Sequence, residues 1–156
     1  MMRIREGRDV NTPVNQLLMQ KGREIVSISP TASVIEAIQL MDSKNIGSLL
    51  VLNAHGKIAG ILSERDCFRK VVLLGKMPAD VQVRAVMTKK VIYASPDNTV
   101  DECMSLMTQK RIRHLPVIDS QERVIGIISI GDLVKFVTSE QDAMIRNLEK
   151  YIEGSL

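Results

Sequence analysis

Two stretches of the chain show the same succession of hydrophobic and polar positions. Each begins with a short apolar run, EIVSIS or KVIYAS, which stops at a Ser-Pro pair and predicts a β-strand. Apolar residues then recur at i, i+3, i+4 and i+7, which predicts a helix with one buried face. Two apolar runs with a short polar link follow and predict a β-hairpin, and a second helix closes the stretch. Each stretch is therefore predicted to fold as β-α-β-β-α.

The two stretches are copies of each other. Residues 25–72 align with residues 91–138 at a constant offset of 66 positions and without a gap. The shared phrase is GILSERD, which begins at Gly60, and GIISIGD, which begins at Gly126. We infer an internal duplication from this match. One copy is too small to bury a good core, so the two copies are expected to pack together about a pseudo-twofold axis.

The first helix of each copy has a matching start signal. Ser33 is followed by Glu36 and Thr99 by Glu102, which is the capping-box pattern. The predicted fold class is α/β in the broad sense, or α+β, with small mixed sheets flanked by helices. The predicted division is an N-terminal segment at 1–13, a first repeat at 14–74, a linker with the second repeat at 75–138, and a C-terminal amphipathic helix at 139–156.

Three segments outside the aligned copies also have helical patterns. An apolar turn at Val14–Gln20 precedes the first copy, and a short helical piece near Val83–Met87 precedes the second. In the tail, Ile145, Leu148 and Ile152 lie among many charged residues. This pattern is typical of an amphipathic helix that docks on its own module or on a partner subunit.

Composition narrows the function classes. Aromatic residues make up 3% of the 156 residues, and the net charge of +3 is only a mild basic excess. The sequence also has no nucleic-acid recognition motif. Together these features disfavour nucleic-acid binding. Two cysteines without a C-x-x-C pair predict buried free thiols and a cytoplasmic protein. The sequence shows no run long enough for a membrane span and no secretory signal. Without a metal-ligand cluster or nucleophile motif, we expect no enzyme activity.

The repeated phrase has the pattern G-h-h-S-x-x-D, where h is apolar, at a predicted strand-to-helix junction. A serine and an aspartate at this spacing can simply cap the helix. The same junction presents free backbone N–H groups that attract phosphate, and an aspartate there can accept hydrogen bonds from a ribose diol. Glycine permits a close approach of backbone or ligand. The residues alone leave both the capping and the ligand-binding interpretation open.

These features resemble CBS domains, the modules named after cystathionine β-synthase, and the tandem pair resembles a Bateman module. The resemblance covers about Val14–Thr138, and it is carried by the two Ser-Pro pairs, the strands IGSLLV and IRHLPV, and the repeated phrase. It implies two clefts between the packed sheets. Each cleft is expected to hold an adenine nucleotide (AMP, ADP, ATP, in some members NAD or S-adenosylmethionine), as a ligand rather than a catalytic cofactor.

The resemblance also implies site residues. It assigns Asp66 and Asp132 to the ribose hydroxyls, and Ser63 and Ser129 to ribose or phosphate. The residues expected to line the adenine pockets or flank the ligand are Ile28, Glu64, Arg65, Ala94, Pro116, Ile130 and Gly131. Their roles rest on the resemblance and not on spacing.

The two copies differ at the expected sites. The second copy has Arg113 and His114 where the first has Gly47 and Ser48. Arg113 and His114 are expected to meet phosphate, the alternative being a surface arginine and a half-buried histidine. Glu64-Arg65 in the first copy stands where the second has Ile130-Gly131. This asymmetry predicts two sites with different ligands, or one occupied site.

The leading hypothesis is a stand-alone regulatory module. It binds an adenine nucleotide and changes conformation, and an unidentified effector protein responds to that change. A homodimer is expected from the resemblance. One alternative is a scaffold without ligand that serves dimerisation, and the less favoured one is a regulator linked to nucleic acid.

Overall fold

The structure is a computed structural model that describes residues 11–22 and 24–152, with the side chains of residues 140–143 left out. Its elements in chain order are α1 Val14–Lys21, β1 Ser27–Ile28, α2 Val34–Lys44, β2 Ser48–Leu52, β3 Ile58–Ser63, α3 Glu64–Leu74, a 3₁₀ turn Pro78–Asp80, α4 Val83–Val86, α5 Val100–Lys110, β4 His114–Ile118, β5 Val124–Ser129 and α6 Ile130–Ile152. Helices and small mixed sheets confirm the predicted fold class.

The chain forms two compact units, and one of them is discontinuous. The repeat-one unit consists of residues 25–91, and the repeat-two unit joins Met1–Glu24 to Ile92–Leu156. The helical turn before each copy therefore packs in the unit of the other copy: α1 lies in the repeat-two unit and α4 in the repeat-one unit. The boundaries predicted at 14–74 and 75–138 follow the order of the repeats along the sequence. The compact units instead divide the chain after Glu24 and after Val91.

The repeat-one unit contains a three-stranded sheet in the order β1-β2-β3, with β1 parallel and β3 antiparallel to β2. Its core is aliphatic, as the scarcity of aromatic residues requires. Fully buried members include Val34, Leu49, Leu62 and Val83, from one helix, two strands and α4. The predicted capping box of Ser33 begins α2 in this unit.

The repeat-two unit has the two-stranded antiparallel sheet β4-β5. Its buried core includes Leu18, Leu115, Ile128 and Leu133, so α1 supplies part of the core of the second repeat. The capping box of Thr99 begins α5, as predicted.

The first glycine of each repeated phrase makes room for the helical turn from the other copy. A Cβ at Gly126 would lie 2.5 Å from Leu18 Cδ2, and a Cβ at Gly60 would lie 2.7 Å from the Thr88 carbonyl oxygen. The backbones of Ile61 and Thr88 exchange two hydrogen bonds at this point. These contacts identify the close approach at both glycines as packing within the unit.

The predicted strand KVIYAS is reduced to one parallel bridge between Ala94 and Val117. In the first copy the Leu50 N–H donates to the Val26 carbonyl at 3.3 Å, which extends the pairing beside β1. Pro116 occupies the position equivalent to Leu50 and has no N–H to donate. The second copy therefore loses this hydrogen bond of the ladder.

The predicted tail helix is not a separate element. It continues the closing helix of the second copy as the single helix α6, which runs from Ile130 to Ile152. In the first copy Gly75 has a φ of 67° and ends α3 in the left-handed conformation. The equivalent residue in the second copy is Gln141, and no glycine or proline interrupts the sequence before Ile152, so the helix continues.

Candidate functional site

The junction between β3 and α3 holds the first serine–aspartate pair. The Asp66 N–H donates to the Ser63 hydroxyl oxygen at 3.1 Å, and the Ser63 N–H donates to Asp66 Oδ2 at 3.2 Å. This reciprocal pair is a capping box, so the capping role considered from the sequence is present. Both residues are half-buried, so each is partly accessible to solvent.

Two other side chains reach the Asp66 carboxylate. Lys70 Nζ lies 3.3 Å from Asp66 Oδ1 and also donates to the carbonyl oxygen of Val86 at 2.9 Å. The Thr88 hydroxyl lies 3.3 Å from Asp66 Oδ2. The carboxylate is therefore oriented by its own helix, by the end of β3 and by the segment after α4.

The junction between β5 and α6 repeats this arrangement with shorter hydrogen bonds. The Ser129 N–H donates to Asp132 Oδ2 at 2.8 Å, and the Asp132 N–H donates to the Ser129 hydroxyl oxygen at 3.0 Å. Lys21, at the end of α1, places its Nζ 2.5 Å from Asp132 Oδ2. The same ammonium group donates to the carbonyl oxygen of Ile127. Asp132 thus has an ion-pair partner that the sequence alignment did not suggest.

The electrostatics of the second junction follow from these contacts. Burial raises the pKa of Asp132, but hydrogen bonds from Lys21 and Ser129 and the Lys21 charge outweigh burial and hold the pKa below its ordinary value. Burial lowers the pKa of His114, the charges of Lys21 and Arg113 lower it further, and Asp132 opposes them. His114 is therefore neutral near pH 7.

The repeat-two unit brings several of the predicted residues together. His114 lies directly opposite Ser129 across the β4–β5 ladder. The Arg113 carbonyl accepts a hydrogen bond from the Ile130 N–H at 2.9 Å, which ties the start of α6 to the start of β4. His114 is half-buried and Arg113 is exposed.

The residues between serine and aspartate form the first turn of each helix. Glu64 and Arg65 begin α3 and are exposed. Ile130 and Gly131 begin α6, where Ile130 is half-buried and Gly131 is exposed. The first turn at the first junction therefore carries two charges, and the first turn at the second carries none before its aspartate.

The residues expected to line adenine pockets lie in or beside the sheets. Ile28 is half-buried in β1, and Ala94 and Pro116 are buried. The Ala94 N–H donates to the Pro116 carbonyl at 2.9 Å, and the Ala94 carbonyl accepts from the Ile118 N–H at 2.8 Å. Pairing within the protein therefore uses the N–H of Ala94 and leaves a second lone pair on its carbonyl oxygen.

Sequence reasoning missed Lys21, Lys70 and Thr88. Lys70 follows Asp66 by four residues on a predicted helix, and that spacing is a signal of an ion pair. Lys21 and Thr88 lie in the segments whose packing is exchanged between the repeats. Lys21 is 111 positions away from Asp132 in the sequence, and no periodicity connects them.

A cavity of about 550 Å³ lies between α2 and α3 of the repeat-one unit. Its apolar lining includes three exposed side chains, Ile38 at 36%, Val72 at 62% and Phe68 at 72% of their accessible surface. Cys67 also lines it as a free thiol. Burial, followed by nearby carboxylates, raises the pKa of Cys67 to about 11, so the thiol is protonated at neutral pH.

The described part of the chain offers neither a metal-binding cluster nor a membrane-spanning helix. Residues 11–22 and 24–152 contain no cluster of three or more His, Cys, Asp or Glu side chains that could hold a metal ion. None of the helices in these residues has the length and apolarity needed to cross a membrane.

The family model for the CBS domain matches the chain twice, at residues 14–73 and 83–139. The chain belongs to the CBS-domain family. This finding confirms the resemblance inferred from the repeated phrase. The CBS domain-containing protein CBSX3 of Arabidopsis thaliana, whose name places it in mitochondria, is 32% identical over 160 residues, which cover 97% of this chain and 77% of the relative.

Solved structures show the same CBS-domain fold. A CBS-domain crystal structure with 49% sequence identity superposes on this chain with a TM-score of 0.76. The superposition covers 80% of this chain and 95% of the other. A CBS domain pair in complex with 5′-methylthioadenosine and S-adenosyl-L-methionine has 27% identity and a TM-score of 0.73, with coverage of 83% and 98%.

The match to this CBS-domain chain covers only part of some curated relatives. The chain spans 58% of a protein from Methanopyrus kandleri and 22% of the inosine-5'-monophosphate dehydrogenase of Methanocaldococcus jannaschii. The match to the dehydrogenase covers the CBS part of that enzyme.

Proposed function

We propose that this protein is a regulatory module that binds adenine nucleotides (AMP, ADP, ATP or NAD(H)) and passes the signal to an effector protein by a conformational change. The observation that carries the proposal is the duplicated serine–aspartate junction, with Asp66 and Asp132 half-buried in the same geometry. The CBS pair solved with 5′-methylthioadenosine and S-adenosyl-L-methionine supports a ligand that contains adenosine.

The proposed contacts follow from the chemistry of each group. Asp66 and Asp132 accept hydrogen bonds from the two ribose hydroxyls, for which a carboxylate has enough lone pairs. Ser63 and Ser129 contact ribose or phosphate. The first turns of α3 and α6 carry the flanking residues Glu64, Arg65, Ile130 and Gly131, and the sheet residues Ile28, Ala94 and Pro116 border the adenine.

The proposed signal requires that the ligand favours one conformation of the protein. A ligand shifts an equilibrium only by its difference in affinity for the two states. The carboxylates provide such a difference, because hydrogen bonds from ribose compete with contacts that now hold Asp66 and Asp132. Binding is therefore expected to loosen Lys21 from Asp132 and Thr88 from Asp66.

The test is calorimetric titration of the purified protein with AMP, ATP, NAD, NADH and S-adenosylmethionine. The double variant Asp66→Ala, Asp132→Ala is expected to lose at least about tenfold in affinity for the ligand that binds, since two or more hydrogen bonds disappear at each site. Unchanged affinity in this variant would contradict the proposed site, and no binding of any ligand would contradict the proposed function.

The structure offers a matched control for helix capping. Glu36 and Glu102 form capping boxes on α2 and α5, as Asp66 and Asp132 do at the candidate junctions. The double variant Glu36→Ala, Glu102→Ala removes the same kind of capping interaction from α2 and α5 without touching the junctions. It is expected to bind ligand normally. An equal loss of affinity in both double variants would assign the effect to helix stability.

We also propose that the protein forms a homodimer through the helical face of the repeat-one unit. The support is the apolar cavity between α2 and α3, where Phe68 and Val72 are mostly exposed. Exposed apolar surface around a groove is typical of an interface. A scaffold that dimerises without ligand remains the alternative function, and it predicts a melting temperature that does not rise with nucleotide concentration.

The proposed location is the cytoplasm, and its support is the pair of free buried cysteines, which suit a reducing compartment. The Arabidopsis relative is named as mitochondrial, so fractionation of cells that express the full-length protein is the test. Recovery in an organelle fraction would overturn the proposed location.

A further inference from the structure

Lys21 places a positive charge at the surface of the second junction. Its Nζ lies 2.5 Å from Asp132 Oδ2 and 2.5 Å from the carbonyl oxygen of Ile127. The Lys21 side chain is 37% exposed and the Asp132 side chain 24% exposed. A ligand that reaches Asp132 therefore meets the ammonium group of Lys21 at the same place.

Arg113 adds to the positive character of this junction, and the neutral His114 lies beside it. His114 lies opposite Ser129 in the ladder, and Arg113 directly precedes it. The charges of Lys21, Arg113 and Asp132 all act on the imidazole, which places these four groups in one neighbourhood. Lys21 and Arg113 supply two positive charges near His114 and Asp132 supplies one negative charge, so these groups carry one excess positive charge while His114 is neutral.

The equivalent neighbourhood in the repeat-one unit has a different balance. Gly47 and Ser48 stand where the second copy has Arg113 and His114, so both of those groups are missing. Lys70 pairs with Asp66, while the adjacent first turn adds one acidic and one basic residue. The charges of Asp66, Lys70, Glu64 and Arg65 sum to zero, so these four residues offer no excess positive charge to an anion.

We propose that the repeat-two junction selects ligands that bear a phosphate, with Lys21 as the specificity-determining residue that transfers its ion pair from Asp132 to the ligand. This inference rests on the proposed nucleotide-binding function. When ribose hydroxyls engage Asp132, the ammonium group loses part of its ion pair. A phosphate monoester replaces that partner with a charge-assisted hydrogen bond, whereas adenosine leaves the ammonium group without one. The repeat-one junction is expected to distinguish much less between nucleotide and nucleoside.

The test compares AMP with adenosine by calorimetric titration of the full chain. The variant Asp66→Asn serves as background, because it weakens the first site while its amide oxygen can still accept the Ser63 N–H. We expect AMP to bind at least about tenfold more tightly than adenosine in this background. Adding Lys21→Met should remove most of that preference and leave the adenosine affinity unchanged or improved, while Lys21→Arg should retain the preference.

The matched control is Lys110→Met, at the exposed end of α5 in the same unit, which removes one positive charge away from the junction. It should keep the preference for AMP. If both ligands bind and Lys21→Met leaves their affinity ratio unchanged, the inference is overturned while the proposed function stands. If neither ligand nor any nucleotide binds the unaltered protein, the proposed function itself fails.

A second measurement covers the case in which Lys21→Met does not fold. Side-chain NMR of ¹⁵N-labelled lysine in the unaltered protein follows the Lys21 ammonium group directly. AMP is expected to shift this resonance to a position different from that caused by adenosine, because only AMP supplies a phosphate partner. Identical shifts with the two ligands would overturn the inference.

Discussion

At Asp132 one carboxylate has both a structural and a proposed ligand-binding role. It caps α6 through the Ser129 N–H and holds the Lys21 ammonium group. A cap requires one oxygen at the helix start, and a ribose diol requires a carboxylate that solvent can reach. The half-buried position satisfies both requirements, so the cap on α6 is compatible with the functional interpretation that the duplication favours.

The protonation of His114 reports on this cluster. Its pKa is below its ordinary value of 6.5 because of burial and the charges of Lys21 and Arg113. Replacing Lys21 with Met should raise this pKa, since a repulsive charge disappears and Asp132 becomes free to attract the imidazolium. The measurement is a proton NMR titration, with His55→Gln used to assign the two histidine signals. A pKa unchanged by Lys21→Met would contradict the geometry of the cluster.

The direction of the His114 shift also fixes a dependence of stability on pH. The folded protein disfavours the charged imidazole, so His114 contributes its full stabilisation above the unfolded pKa of about 6.5. That contribution falls as the pH decreases through the lower pKa of the folded state. Urea titrations at pH 5 and pH 7 should therefore give a smaller decrease for His114→Gln than for the unaltered protein. An equal decrease in both proteins would contradict this expectation.

The two hairpins show how equivalent elements have diverged in backbone strain. In the first, Gly56 has a φ of 74°, and in the second Glu122 has a φ of 63° at the equivalent position. Asn53 and Asp119 bond the loop N–H groups in the same way. The second hairpin thus forces a residue with a side chain into the left-handed conformation that glycine adopts freely.

Replacing Glu122 with Gly should stabilise the protein. We expect the free energy of unfolding to rise by about 0.5–1 kcal/mol, because relief of the left-handed strain exceeds the added flexibility of the unfolded chain. The reverse change, Gly56→Glu, is the matched control and should lower it, since open space around Gly56 confines the effect to the backbone. Urea unfolding measures both. A destabilised Glu122→Gly variant would show that side-chain contacts dominate at this turn.

Local signals explain which parts of the elements and the site the sequence could predict. Capping boxes involve residues three positions apart, so the serine–aspartate pairs and the helix starts follow from the sequence. The contact of Lys21 depends on α1 packing beside the second copy, which no local pattern encodes. The strand predicted before Ser95 is reduced to one bridge because Pro116, on the neighbouring strand, has no N–H to donate. This effect can be recognised only when it is known that the two segments pair.

For the whole molecule, the most consequential feature is the exchange of α1 and α4 between the repeats. Through Lys21 and Asp132, one ion pair joins α1 to α6, the first and the last helices of the described chain. A ligand at this junction therefore acts on an element from each end of the sequence. Such a connection suits a module whose output is a change in its helices, since a partner can contact them outside the ligand site.

The proposed homodimer gives the last prediction. Phe68 is 72% exposed at the apolar cavity of about 550 Å³ between α2 and α3. A large aromatic side chain in such a position is expected to insert into the partner and contribute strongly to association. Phe68→Asp should therefore raise the dimer dissociation constant about thirtyfold or more, because it buries an unpaired charge. Sedimentation equilibrium over a range of protein concentrations measures this change.

Leu73 provides the control on the same helix. It is 82% exposed, so Leu73→Asp makes a comparable chemical change, but Leu73 does not line the cavity. If the dimer forms across the cavity, the Leu73 variant should remain dimeric at concentrations where the Phe68 variant is monomeric. Equal weakening by both variants would place the interface on the wider helix surface. An unaltered protein that stays monomeric over the whole range of protein concentrations would reject the dimer while leaving nucleotide binding intact.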